Sequence, residues 1–175
     1  KQIRSQIFQT EKDESSESRI LVRLSWRSSN FFGQRADLYF NHLAAENIFL
    51  SASPKIKFVC LQYRLAEEEK EFLKSYPDVF LPNEDLFDDV RACAEYTAAC
   101  DVVICPPTII RQLAGLVRTP CITWGIDPSW SHLGKDHYPW YPNIKLIKCD
   151  RRFDVGTLVE RLKSMIARLP SLINC

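Results

Sequence analysis

Pro106, Pro107 and Thr108 follow an apolar run, DVVIC (101–105), and precede IIRQLAGL (109–116). Two prolines in succession fix the backbone and remove two amide donors. Thr108 is then placed to cap a helix whose first free amides belong to Ile109 and Ile110. Free N–H groups at the positive end of a helix dipole form an anion site, and a diphosphate is the guest that suits it. An ordinary capping threonine with no ligand is the plainer alternative. Arg27 and Arg35 flank the loop after the first apolar run, where a planar guanidinium can pair with phosphate oxygens or simply be solvated. Trp130, His132, Tyr138, Trp140 and Tyr141 crowd one segment, PSWSHLGKDHYPWYPN (128–143). Rings with polar tips suit stacking on a sugar or base, or packing onto their own domain. No carboxylate partner is evident for His132 or His137, so acid–base chemistry there has little support.

These residues need elements to hold them. ILVRLSW (20–26), IKFVCLQY (56–63), DVFL (78–81), DVVIC (101–105), PCITWG (120–125) and IKLIKC (144–149) read as six strands. Between them lie helical patterns over 35–52, 66–76, 85–100 and 108–117, and a closing one over 154–169. Asp85 is the expected N-cap of the third of these. Alternation of apolar strands with helices predicts an α/β fold: a Rossmann-like three-layer α/β/α sandwich on a mostly parallel sheet of about six strands. Ligands of such sheets sit beyond the carboxyl ends of the strands. That rule selects Ser25-Trp26-Arg27-Ser28, Gln62-Tyr63, Pro106-Pro107-Thr108 and Gly125-Ile126-Asp127. Neither a GxGxxG fingerprint nor a Walker loop occurs, and the chain has only 5 Gly, which disfavours dinucleotide dehydrogenases and P-loop NTPases.

A formal net charge of +1 in 175 residues gives no electrostatic case for nucleic acid or an anionic membrane. No apolar run approaches the roughly 18 residues of a membrane span. Residues 1–18 are polar and are expected to be a flexible lead-in to one domain over 19–175. They contain no secretory h-region, and the absence of an initial Met suggests a piece of a longer chain. The 7 cysteines form no CxxC pair. They read as reduced thiols of a cytoplasmic protein, and no metal or other cofactor is expected.

Three blocks in order carry a family likeness: FVCLQY, then LFDDVRACAEYTAACDVVICPPTIIRQLAGLVRTPCITWG, then WSHLGKDHYPWYP. They resemble the C-terminal domain of bacterial GT-B glycosyltransferases, above all the glycosyltransferase-like domain that follows tetratricopeptide repeats. That group is similar in turn to the heptosyltransferases. The likeness spans about residues 19–169. It implies a domain that binds a nucleotide-diphospho-sugar and works with an acceptor-binding domain outside this chain, which usually supplies the base. By the resemblance, Thr108 occupies the Thr/Ser of an Asp-Thr/Ser pair, and Gln112 to Gly115 occupy a His-Leu-Ala-Gly segment. Ser25-Trp26 and Gln62-Tyr63 match the corners after the first two strands. Together with the arginines and free amides read above, the candidate donor-binding set is Ser25, Trp26, Arg27, Arg35, Gln62, Tyr63, Pro107, Thr108, Ile109, Ile110 and Gln112. Pro107 replaces the acid of the pair and Gln112 replaces the histidine. Those departures keep open a rival reading, a catalytically degenerate domain that mediates protein contacts. A flavodoxin-like nucleotide module is a third reading, without the glycines it wants.

Overall fold

The computed structural model of the chain describes residues 2–8, 19–28, 33–126, 129–135, 137–149 and 154–173; the side chains of 33–35 and 171–173 are not described. Six strands form one sheet: β1 (Ile20–Leu24), β2 (Ile56–Cys60), β3 (Val79–Phe80), β4 (Val102–Ile104), β5 (Cys121–Ile126) and β6 (Ile144–Cys149). All are parallel, in the order β3-β2-β1-β4-β5-β6. The helices are α1 (Gln2–Phe8), α2 (His42–Ser51), α3 (Glu67–Lys74), α4 (Val90–Ala99), α5 (Ile109–Leu116) and α6 (Val155–Ile173).

The central strands are buried on both faces because successive side chains enter two different cores. Ile20, Val22 and Leu24 join Phe58, Ile48 and Leu162 on the α2/α6 side. Leu21, Val59 and Val103 join Cys93, Ile110 and Leu113 on the α4/α5 side. The Rossmann-like sandwich expected from alternation is the observed architecture.

Local signals were overridden in three places. Helix α4 starts at Val90, with Asp89 accepting from the Ala92 amide at 2.8 Å, rather than at Asp85. Asp85 instead closes the preceding turn by accepting from the Phe87 amide at 2.9 Å. The pattern over 35–52 divides into a 3₁₀ turn, Gly33–Leu38, and α2, because Asn41 caps a new helix by accepting from Ala44 N at 3.0 Å. At the N-terminus, residues 2–8 do not match the expected flexible lead-in. They form α1, which buries Ile7 and Phe8 in the second core. Arg4 anchors that helix, pairing with Asp101 at 2.9 Å and donating to the Arg19 carbonyl at 2.8 Å. Residues 9–18 lie outside the described residues. Among the described residues no helix is long and apolar enough to cross a membrane.

Candidate functional site

The strand order has a switch point. From β1 the chain winds outward to β2 and β3, and from β4 it winds the other way to β5 and β6. Connections leaving the carboxyl ends of β1 and β4 therefore part and leave a crevice between them. Ser25-Trp26-Arg27 forms one wall, and Pro106-Pro107-Thr108 with the start of α5 forms the other.

On the β4 side, Thr108 has the extended backbone of an N-cap (φ −117°, ψ −178°), yet its hydroxyl makes no capping bond. Oγ1 is buried without a hydrogen-bond partner. The Thr108 amide is spent on the Pro106 carbonyl at 2.7 Å, and Arg111 N closes the first turn on Thr108 O at 3.2 Å. The amides of Ile109 and Ile110 lack acceptors within the helix, as at any helix start. No acidic residue occupies the first turn of α5 to quench them.

On the β1 side, Ser25 N donates to Ile104 O at 3.1 Å and carries the β1–β4 ladder one residue further. Ser25 is buried and its hydroxyl has no partner. Gln62, just past β2, braces this corner: its Oε1 accepts from both Trp26 N and Arg27 N at 3.2 Å. The Trp26 indole fills the core, its Nε1 also unpartnered.

Several expected ligands are held by protein groups. Arg27 pairs through Nη2 with Glu69 Oε2 at 2.5 Å and donates to the Arg64 carbonyl at 3.2 Å. Burial pushes the Glu69 carboxyl up, but the hydrogen bond from Arg27, the Ala66 amide and the Arg27 charge outweigh it, and the net shift is downward. Gln112 donates through Nε2 to the Tyr138 hydroxyl at 3.0 Å. Tyr63 shares a hydrogen bond with Ser28 Oγ at 3.2 Å and packs on Phe87. The side chain of Arg35, like Asp127, lies outside the described residues.

Beyond the carboxyl ends of β2 and β3 lies a cavity of about 530 Å³, bounded by Gln62, Tyr63, Arg64, Lys70 and the 81–86 segment. Its size is within the range of small-molecule sites, and Gln62 belongs both to it and to the β1 corner. The aromatic segment divides. Tyr138 and Tyr141 pack toward α5, whereas Trp130 and Trp140 are 84% and 55% exposed. His132 is buried against Gly125, where an added Cβ would meet its ring at 2.8 Å. Among the described residues no cluster of three or more His, Cys, Asp or Glu is gathered as a metal site.

One residue near the crevice escaped the sequence reading. Arg111, third in α5, is 7% exposed, and its Nε and Nη1 have no partner. The signal was present: a basic residue in a first helical turn opposes the dipole.

No protein-family model matches the chain. Over 127 residues it is 34% identical to Protein FlbA of Caulobacter vibrioides, covering 71% of this chain and 21% of that protein. Among solved structures, it superposes on E. coli heptosyltransferase WaaC with ADP-2-deoxy-2-fluoro heptose at a TM-score of 0.57 and 18% identity. That match covers 93% of this chain and 46% of WaaC. A glycosyl transferase family 9 structure from Veillonella parvula gives a TM-score of 0.59 at 12% identity, over 100% of this chain and 53% of that one. The chain thus spans about a fifth of the curated relative and about half of each solved structure. At these identities the superpositions establish the fold: the Rossmann-like α/β architecture of one half of such glycosyltransferases.

Proposed function

We propose that this domain binds a nucleotide-diphospho-sugar in the crevice between β1 and β4, as the donor half of a glycosyltransferase completed by an acceptor-binding domain. One observation carries the reading. The crevice is walled by a helix start with no acid in its first turn and by two buried hydroxyls, Ser25 Oγ and Thr108 Oγ1, with no protein partner. Buried hydroxyls are nearly always hydrogen-bonded, so two orphans beside free helix amides suit a ligand rich in acceptor oxygens. The solved neighbour WaaC is described with ADP and with an ADP-heptose analogue, ligands of that chemistry.

The chemistry this supports is electrostatic. As a glycosidic bond to the diphosphate breaks, negative charge grows on the departing oxygens. The amides of Ile109 and Ile110 and the Thr108 hydroxyl are fixed beforehand where that charge would gather, and need not reorganise to meet it. The cavity past β2 and β3 is the place for the nucleoside, with Gln62 joining it to the crevice. Arg27 supports this wall through Glu69 rather than as a phosphate clamp. The domain would act in the cytoplasm, where nucleotide sugars and reduced thiols occur together, within a longer chain of the kind that carries tetratricopeptide repeats.

Calorimetric titration with ADP, UDP and GDP tests the reading. At least one should bind below millimolar Kd, and Thr108→Val should weaken it roughly tenfold, the loss of about 1.4 kcal/mol for one hydrogen bond to a charged group. Failure of all three to bind the wild-type chain at millimolar concentration would leave the domain an architectural role only.

A further inference from the structure

We infer that Arg111 is the cation of the crevice: its guanidinium binds an oxygen of the phosphate-class anion held at the first turn of α5. The inference rests on the proposed function for the identity of the ligand, but on its own observations for the residue.

Arg111 is anomalous as a purely structural residue. It is more than nine-tenths buried, and among the described residues no carboxylate pairs with it. Nε and Nη1 donate to nothing. Its one contact of note is the face of Tyr138, with Cζ 4.1 Å from the ring centroid. That ring is fixed in turn: Tyr138 is buried, its hydroxyl accepts from Gln112, and its amide donates to Ile144 O at 3.3 Å. Stacking orients the guanidinium plane and takes none of its N–H groups, which point outward along the edges. The arrangement therefore presents an oriented fork without an acceptor.

Energetics point the same way. A buried charge without a partner is costly, and a cation in the first turn of a helix opposes the macrodipole. Both penalties turn favourable once an anion sits at the helix start. Arg23, the other buried arginine, and the partly buried Arg27 differ in having side-chain partners. Arg27 is neutralised by Glu69. Arg23, on β1, gives Nη1 to Thr97 Oγ1 and Nη2 to Cys93 Sγ at 3.3 Å, facing α4.

The sheet beneath α5 adds a second, independent sign. The registers Leu24↔Ile104 and Ile104↔Ile122 place Ser25, Cys105 and Thr123 side by side on adjacent strands. Side chains alternate, so these three share the face of Leu21, Val103 and Cys121, the one that α5 covers. Ser25 Oγ and Thr123 Oγ1 are both buried and both unpartnered. Unpaired hydroxyls on the sheet face thus lie on the side covered by the helix that carries the unpaired guanidinium. An oxyanion has the acceptors they lack. Gln112, the next residue of α5, is neutral and bonded to Tyr138, which leaves Arg111 as the cation of this turn.

The test uses the 175-residue chain with inorganic pyrophosphate and with the tightest of ADP, UDP and GDP as probes, comparing wild type, Arg111→Met and Arg111→Lys. Calorimetry should show binding weakened at least tenfold in Arg111→Met, with Arg111→Lys between. Melting in low-phosphate buffer supplies the structural control. Arg111→Met should melt no lower than wild type, because the lost charge had no partner, and should lose the rise in Tm that pyrophosphate gives wild type. A variant that melts lower but binds both probes with unchanged affinity overturns the inference and leaves the proposed function standing. Binding of pyrophosphate that depends on Arg111, with no nucleoside diphosphate bound more tightly than pyrophosphate, supports the inference and removes the nucleotide reading. No binding of either probe to wild type overturns both.

Discussion

Replacing Gln62 by Met removes one carboxamide and leaves a stem of similar length. In the wild type its Oε1 accepts from two successive amides, Trp26 N and Arg27 N, both at 3.2 Å. Trp26 is fully buried, so its amide has no water to turn to; Arg27 is only partly buried and recovers some solvation. A buried donor left unpaired costs about 1–3 kcal/mol, and bonds of this length lie toward the weak end. About 1.5 kcal/mol for Trp26 and about 0.5 kcal/mol for Arg27 give an expected loss of about 2 kcal/mol. In a domain of this size that lowers Tm by about 4–8 °C. Urea denaturation should show a lower midpoint with unchanged m-value, and hydrogen exchange should speed up at the amides of Trp26 and Arg27 ahead of those of β1. Gln62→Glu, which keeps an acceptor on the stem, serves as the comparison. If Gln62→Met stays within about 0.5 kcal/mol of wild type, or those two amides exchange as slowly as before, Gln62 does not brace the β1 corner.

Glu69 makes stability depend on pH. Its folded carboxyl titrates below the ordinary 4.5, so in acid the unfolded chain takes up the proton first. The pair's contribution is complete above the unfolded value and disappears as pH falls through the lower folded one. Glu69→Gln should cost about 1–3 kcal/mol at pH 7 and flatten denaturation midpoints measured from about pH 5 to 3; an unchanged slope would contradict this. Gly115→Ala would place a Cβ 2.4 Å from Tyr141 Cγ. A net loss of about 1–2 kcal/mol is expected, partly relieved by a second change, Tyr141→Ala, and strictly additive losses would argue against the clash. Burial pushes the Cys60 and Cys100 thiols up to about 12, and the hydrogen bond with Cys105, together with burial, pushes that of Cys121 up as well. At pH 8 a disulfide reagent should label these three at least about 100-fold more slowly than free cysteine until the chain unfolds; labelling at the free rate in the native state would refute their assignment as inert core groups.

Six strands, the parallel sheet and the corners that bound the crevice were legible in the chain. Each follows from local facts: an apolar run of strand length, a helical pattern after it, and a topology rule that puts ligands at carboxyl ends. Thr108 was found in that way, from its place behind two prolines. Boundaries were less legible where two caps competed. Asp85 and Asp89 are equally good capping residues by type, and only the packing of Leu86 into the core and the turn over 85–88 favours the later one. The helix over 2–8 was missed because its stabilisation lies in Asp101 and the α4 side of the core, about a hundred residues along the chain.

The amino-acid sequence by itself determined where strands and helices alternate, and therefore the parallel sheet and the helix start beyond its fourth strand, because these depend on periodicity and on backbone preferences a few residues long. Only the tertiary structure decided which polar groups at that crevice are already satisfied. Arg27 is taken by Glu69 across 42 positions and Gln112 by Tyr138 across 26, while Arg111, Ser25 and Thr108 are left without acceptors. Hydrogen-bond partnership between distant side chains is set by packing, and no local pattern encodes it.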